Sequence, residues 1–202
     1  MNILVAVASR HGSTHEIADA LARELATAGH TVDVHTVEDS PTVDGYDAAV
    51  IGSAVYMGKW LPQAVQFVGR HQAQLAAMPV WLFSSGPLGS DDPQPKGEPA
   101  RLDQLMGRTG ARGHRMFVGK LDKHELGFGE RFIVRALGAP GGDFRDWAAI
   151  NVWADEIAQG VRTARPREFT EITKLAAPPI GWPWPVNSAR TAHTRTPNLN
   201  SN

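Results

Sequence analysis

The chain opens on a short apolar run, Asn2 to Ala8, that breaks at Ser9 and passes through one small loop into helical spacing. A Val- and Ile-bearing run this short is the pattern of a strand buried on both faces of a parallel sheet. Beyond the loop, Ile17, Ala18, Leu21, Ala22, Leu25 and Ala26 recur at three- and four-residue steps and mark one apolar helix face. A doubly buried strand needs helices on both sides of its sheet, and its parallel neighbours need crossover connections. This opening therefore predicts an α/β chain.

The rest of the chain repeats the alternation. Gly29 suits a left-handed helix stop. Thr31 to Val37 alternates Val32, Val34 and Val37 with polar residues, as a strand near a sheet edge does. Ala48 to Gly52 and Met78 to Phe83 are further buried strands, and His114 to Val118 is the fifth. Helices are expected over Leu61 to His71, with Pro62 in the first turn, over Pro99 to Arg108, and from about Asp146, capped by Asp143 or Asp146. Asp44-Gly45-Tyr46 is a turn, and Gly86 to Pro99 is a loop rich in Gly, Pro and Asp. These elements predict a doubly wound five-stranded parallel sheet with helices on both faces. The connection from Lys120 to about Gly142 is long and carries its own helical patch, Phe132 to Leu137. Long connections with local structure tend to be functional. The expected domain is 1–165, with an insertion at 120–142. An irregular Pro- and Trp-rich tail, 166–202, comes after it. Within that tail, Trp182 and Trp184 either pack on the domain surface or meet a partner, a membrane surface or the mouth of the site.

Composition closes off other classes. With 202 residues, 42% hydrophobic and 20% charged, the chain is an ordinary globular protein. No apolar run approaches the length of a membrane span, and no basic segment precedes a hydrophobic stretch as a secretory signal requires. Cysteine is absent, which removes disulfides, thiolate metal sites and cysteine nucleophiles and is compatible with the cytoplasm. A net charge of −1 without basic blocks argues against a nucleic-acid surface. His11 and His15 stand at i, i+4, but no third ligand is near in sequence, so no metal is expected.

In open α/β sheets ligands bind beyond the carboxyl ends of the strands, where the strand order reverses. The loops after strands one, three and four are the ones to read. The first is Ser9-Arg10-His11-Gly12-Ser13-Thr14. It brings hydroxyls and a glycine to a helix N-terminus, where free N–H groups and the helix dipole favour a phosphate. Alternatively, Ser13 is an ordinary helix cap. The loop lacks Gly-x-Gly-x-x-Gly and Gly-Lys-Ser/Thr, so it is neither a dinucleotide fingerprint nor a P-loop. The second loop, Ser53-Ala54-Val55-Tyr56-Met57-Gly58-Lys59-Trp60, sets Tyr56 and Trp60 around Gly58, as a flat heteroaromatic ring requires. The alternative is a turn whose aromatics pack on the next helix. The third, Ser84-Ser85-Gly86-Pro87-Leu88-Gly89, lets backbone amides approach the polar edge of a ring, or is a plain Gly-Pro turn.

Together these loops resemble those of the flavodoxin family. Ser9-x-x-Gly12-Ser13-Thr14 is similar to its phosphate loop, and Ser53–Trp60 and Ser84–Gly89 are similar to its two ring-binding loops. The resemblance covers about residues 1–161. It implies the strand order 2-1-3-4-5 and an FMN cofactor. The phosphate would be held by Ser9, Arg10, His11, Gly12, Ser13 and Thr14. The ring would lie against Ala54, Val55, Tyr56, Met57, Gly58, Ser84, Ser85, Gly86, Pro87, Leu88 and Gly89. A deazaflavin would present the same phosphate and a similar ring.

Within the family, Ser9 to Ala18, Gly52 to Trp60 and the insertion Gly119 to Gly142 are similar to the menaquinone-dependent protoporphyrinogen dehydrogenase branch. That resemblance implies electron transfer from a reduced small-molecule substrate through FMN to a quinone. Lys120, Lys123, His124, Arg131 and Arg135 would then face substrate carboxylates. A quinone acceptor fits a cytoplasmic protein in peripheral contact with the inner face of the membrane. The alternative function is a plain electron-transfer flavodoxin with a protein redox partner. Such carriers use a strongly acidic surface to steer basic partners; a net charge of −1 argues against that, although residues such as Glu38, Asp39 and Asp44 could form a local acidic patch. A receiver domain is excluded because Ala8-Ser9 and Gly52-Ser53 stand where its acidic cluster belongs. A serine hydrolase is disfavoured by the absence of a Gly-x-Ser-x-Gly elbow.

Overall fold

Residues 1–39, 42–86, 98–121 and 142–164 are described by the computed structural model of the chain. In chain order the elements are β1 (Asn2–Ala8), α1 (Ser13–Thr27), β2 (Thr31–Thr36), β3 (Ala48–Tyr56), β4 (Lys59–Trp60), α2 (Pro62–Arg70), α3 (Gln72–Ala76), β5 (Val80–Ser85), α4 (Leu102–Thr109), β6 (Gly113–Phe117), β7 (Lys120–Leu121), β8 (Gly142–Asp143) and α5 (Trp147–Thr163). The main sheet has the order β2-β1-β3-β5-β6, and these five strands are parallel. This is the expected doubly wound sheet; the numbers differ from 2-1-3-4-5 only because the two-residue β4 folds back antiparallel on the end of β3.

Alternation along β1 explains the layers. Ile3, Val5 and Val7 point to one face and pack with Ile17, Leu21 and Leu25 of α1 and with Ile150, Trp153 and Ile157 of α5. Leu4, Ala6 and Ala8 point to the other and join Ala64, Phe67 and Val68 of α2 and Leu102 and Leu105 of α4. Burying each such large aliphatic or aromatic side chain contributes about 1.5–3 kcal/mol, so each face carries a core of its own. Edge strand β2 keeps its polar alternation, with Val32 and Val34 partly buried.

Local differences from the sequence reading have local causes. Gly12, in the left-handed region at φ 75, takes the cap position of α1, so Ser13 is the first helical residue rather than the cap. The helix expected over Leu61 to His71 ends at Arg70, and a second short helix comes next. Asp146 is the cap of α5, accepting the Ala149 amide at 2.9 Å. β3 runs on to Tyr56 and β5 to Ser85, so residues expected in loops are strand ends. The helical patch 132–137 and the tail 166–202, with Trp182 and Trp184, lie outside the described residues. Among the described residues no helix is long and apolar enough to cross a membrane.

Gly52 is opposite Phe83 in the β3–β5 register, and the Phe83 ring occupies the space that a Cβ at Gly52 would need. Phe83 and Phe117 in turn lie against Trp153, with ring centroids 6.2 and 5.5 Å away. Replacing Gly52 with Ala is expected to destabilise the protein by about 1–3 kcal/mol through overpacking. Urea unfolding should show a lower midpoint with an unchanged m-value.

Candidate functional site

Sheet register aligns the three loops. Ala8 is paired with Ser53, and Ser53 with Ser84, so β1, β3 and β5 reach one row together before leaving the sheet. The candidate site lies just beyond that row.

The first loop presents the start of α1. Its cap residue, Gly12, makes no side-chain cap hydrogen bond. Within the loop the Ser13 amide donates to His11 O at 2.9 Å, and the Glu16 amide to Gly12 O at 3.0 Å. Ser9 is half-buried, and its Oγ is inaccessible with no hydrogen-bond partner among the described residues. A buried hydroxyl left so costs about 1–3 kcal/mol, which an accepting ligand oxygen would relieve. Arg10 and Gly12 are exposed, His11 and Ser13 half-buried, and Thr14 is buried at the base of the loop. The donor set and the bare helix end suit a phosphate monoester.

The second loop is a tight hairpin. Ser53, Ala54, Val55 and Tyr56 belong to β3, and Met57 and Gly58 make the turn at φ 48 and 72. The Ser53 hydroxyl donates to Ala54 O at 2.8 Å and accepts the Leu61 amide at 3.0 Å, which closes the hairpin. Gly58 O accepts the Ala100 amide at 2.7 Å. Tyr56 leans toward the first loop, with the Arg10 guanidinium 5.2 Å from its ring and His11 at 6.4 Å. Met57 is 98% exposed at the tip, an apolar side chain in an uncommon backbone region. Such strain is often stored beside a ligand. Trp60 does not face this space. It is buried, and its indole N–H donates to Ser84 Oγ at 2.7 Å, so of the two aromatics Tyr56 is the one beside the first loop.

In the third loop Ser84 and Ser85 are buried strand residues, and Gly86 (φ 127) packs against Val55 while its amide donates to Phe117 O at 2.9 Å. Pro87, Leu88 and Gly89 lie outside the described residues. Under this loop Ser84 Oγ also meets His114 Nε2 at 2.8 Å. An indole N–H only donates, so Ser84 accepts from Trp60 and has its own proton to give. The direction of its bond to His114 Nε2 follows the imidazole tautomer, and it is burial that favours the neutral ring. Burial holds the His114 pKa below its ordinary 6.5, opposed by the charge of Glu98.

The ends of the insertion are held by β7 and β8, which pair antiparallel. Of the cations expected to meet substrate carboxylates, Lys120 is described: its backbone amide donates to Ser13 Oγ at 3.0 Å, and its ammonium is 3.7 Å from Glu16. Lys123, His124, Arg131 and Arg135 lie outside the described residues. Arg145, which sequence reasoning missed, is buried between Asp143 and Glu16, with N···O distances of 2.6 and 2.8 Å. Its hydrogen bonds hold the Asp143 carboxyl below the usual carboxylate range, and those carboxylates raise its own pKa. The Asp-x-Arg spacing was the available signal, but beside a helix start Asp143 reads as a cap. Among the described residues no cluster of three His, Asp or Glu could hold a metal. A cavity of about 410 Å³ lined by Asp33, His35, Asp44 and Tyr46 opens beside β2, and none of the three loops lines it.

A Flavodoxin domain model matches residues 4–146. Over 87 residues the chain is 36% identical to protoporphyrinogen IX dehydrogenase [quinone] of Escherichia coli K12 and of strain O157:H7. That stretch is 42% of this chain and 48% of the relative, so the match spans about half the length of these curated relatives. Among solved structures, a flavodoxin from the domain Archaea has a TM-score of 0.54 at 17% identity, over 80% of this chain and 99% of its own. The Flv1 flavodiiron core of Synechocystis sp. PCC6803 has a TM-score of 0.57 at 16% identity, over 81% of this chain and 36% of its own. At these identities the structural likeness is one of fold.

The neutral His114 has a consequence for stability. Because its folded pKa is lowered, the unfolded chain binds a proton that the native chain refuses as pH falls below about 6.5. Stability is therefore lost on acidification through that window; His30 and His71, also lowered by burial, add to the loss. His114→Gln is expected to make the decline shallower by at most one proton's slope, about 1.4 kcal/mol per pH unit. Urea melts at pH 7, 6 and 5 would show it, and an unchanged slope would contradict a neutral His114.

Proposed function

The chain belongs to the flavodoxin domain family, and on that footing we propose that it is an oxidoreductase passing electrons from a reduced organic substrate to a quinone. Its cofactor is FMN. When bound, FMN supplies the ring that takes up and releases electron pairs. The chain's own residues bind and orient it. Ser9, Arg10, His11, Gly12, Ser13 and Thr14 would hold the phosphate. The hairpin residues Ala54, Val55, Tyr56, Met57 and Gly58 would flank the ring on one side. Ser84, Ser85, Gly86, Pro87, Leu88 and Gly89 would flank it on the other. The observation that carries this reading is the start of α1, where the cap residue is a glycine with no side chain to cap it, beside the Ser9 hydroxyl, inaccessible and without a hydrogen-bond partner among the described residues.

The partial identity to relatives named for protoporphyrinogen IX and quinone supports both the quinone acceptor and a substrate of the porphyrinogen type. Lys120, Lys123, Arg131 and Arg135 supply cations for substrate carboxylates, and His124 a further polar group beside them. We take 1–165 as the FMN domain, with 166–202 as an appended segment.

Ser9→Ala is expected to leave the apo-protein as stable or slightly more so, because it removes an unsatisfied hydroxyl. It should weaken FMN binding by about tenfold or more, the scale of a hydrogen bond to a charged group. Fluorescence titration with FMN reads the affinity; wild-type protein with no flavin spectrum and no micromolar FMN binding would refute the site. Steady reoxidation of the reduced protein by a soluble quinone, sustained by a porphyrinogen, is the expected activity. Electron exchange with a protein partner alone would instead identify a carrier.

A further inference from the structure

Arg145 has a closed set of contacts. Its Nε donates to Asp143 Oδ1 at 2.7 Å and its Nη2 to Asp143 Oδ2 at 2.6 Å, a two-point fork. Its Nη1 reaches Glu16 at 2.8 Å and the Ser13 carbonyl at 3.4 Å. The side chain is 2% exposed, and its guanidinium is 4.4 Å from the Trp147 ring centre. A guanidinium shut in this way offers no face to a ligand. What it joins is informative. Asp143 belongs to β8, which pairs with β7, and the Lys120 amide of β7 donates to Ser13 Oγ. Ser13 is thus fixed twice, through its carbonyl by Arg145 and through its hydroxyl by Lys120.

That second contact matters chemically. A hydroxyl that accepts from an amide on one side turns its own proton to another. Ser13 therefore stands as a pre-set donor in the first turn of α1. Charge matters as well. Glu16 in that turn suits the helix dipole but opposes an anion bound beside it. Arg145 and Lys120, its two cationic partners, offset that opposition.

We propose that Arg145 is a positioning residue for the phosphate of the cofactor: it ties the insertion base to the first turn of α1, holds Ser13 as a donor and neutralises Glu16, without touching the phosphate. This rests on the reading of Ser9–Thr14 as the phosphate loop. It assigns to the insertion base a part in cofactor affinity, separate from any part in substrate binding.

Phosphate selectivity tests it. FMN and riboflavin share the ring and differ in the phosphate, so a role confined to the phosphate loop changes one affinity and spares the other. Affinities of both are measured by fluorescence titration for the wild-type chain, Arg145→Gln and Asp143→Asn. Asp143→Asn weakens the fork at a carboxylate that is 41% exposed, and keeps the fold testable if Arg145→Gln does not accumulate. The expected result is a fall in FMN affinity of about tenfold for Arg145→Gln and a smaller fall for Asp143→Asn, with riboflavin affinity changed by less than about twofold. Equal losses for both ligands, or no loss of FMN affinity in either variant, would overturn the role of Arg145. A wild-type chain that binds riboflavin as tightly as FMN would instead overturn the phosphate loop itself, and the proposal with it.

Discussion

Everything in the described structure depends on β1 being sealed. Ile3 to Val7 are wholly inaccessible and Ala8 nearly so, and the strand is paired on both sides by β2 and β3. A strand in that position has no free edge and no free face. Its polar backbone is satisfied by its neighbours and its side chains by two cores. The chain can regain solvent only at the end of the strand, where it meets the end of β3. The site is therefore a consequence of the packing: the place where a doubly covered sheet must open is the place where the first helix presents its amides.

Around that opening the structure holds its polar groups differently on each side. On the β3–β5 side, Ser53, Ser84, Trp60 and His114 are bonded to one another or to nearby backbone at the carboxyl ends of the strands. This network carries no formal charge when His114 is neutral, which suits the neighbourhood of an uncharged heteroaromatic ring. On the α1 side the groups are charged and arranged in pairs: Arg145 with Asp143 and Glu16, and Lys120 with Glu16. Pairs of this kind are costly to break from one side only, because the remaining charge loses its compensation. The first arrangement fits a ring and the second an anion.

The sequence was legible where a single element explains a pattern. The apolar run of β1, the helical face of α1 and the hydroxyl-rich turn between them are local, and each reads the same in the folded chain. The strand order was also legible once the resemblance was recognised. Reading failed where a residue's partner is remote in sequence. Trp60 looked like a ring platform, yet its indole N–H is taken by Ser84, 24 positions away. The sequence left Ser13 open as phosphate donor or helix cap, and gave no sign that its hydroxyl accepts the Lys120 amide, 107 positions on. Arg145 was missed because its Asp-x-Arg spacing reads locally as a helix cap and its second carboxylate partner, Glu16, stands in a remote element.

By itself, then, the sequence determined the alternation of strands and helices and the stretch of chain able to offer phosphate donors. Those properties come from side-chain periodicity and from local backbone geometry, which neighbouring residues set between themselves. Only the tertiary structure decided which of those donors point outward, which aromatic is buried and which cation is already spent on a carboxylate. The physical reason is that hydrogen bonds and ion pairs are short. They are formed by groups that the sheet register brings within about 3 Å, and that register is a property of the folded whole.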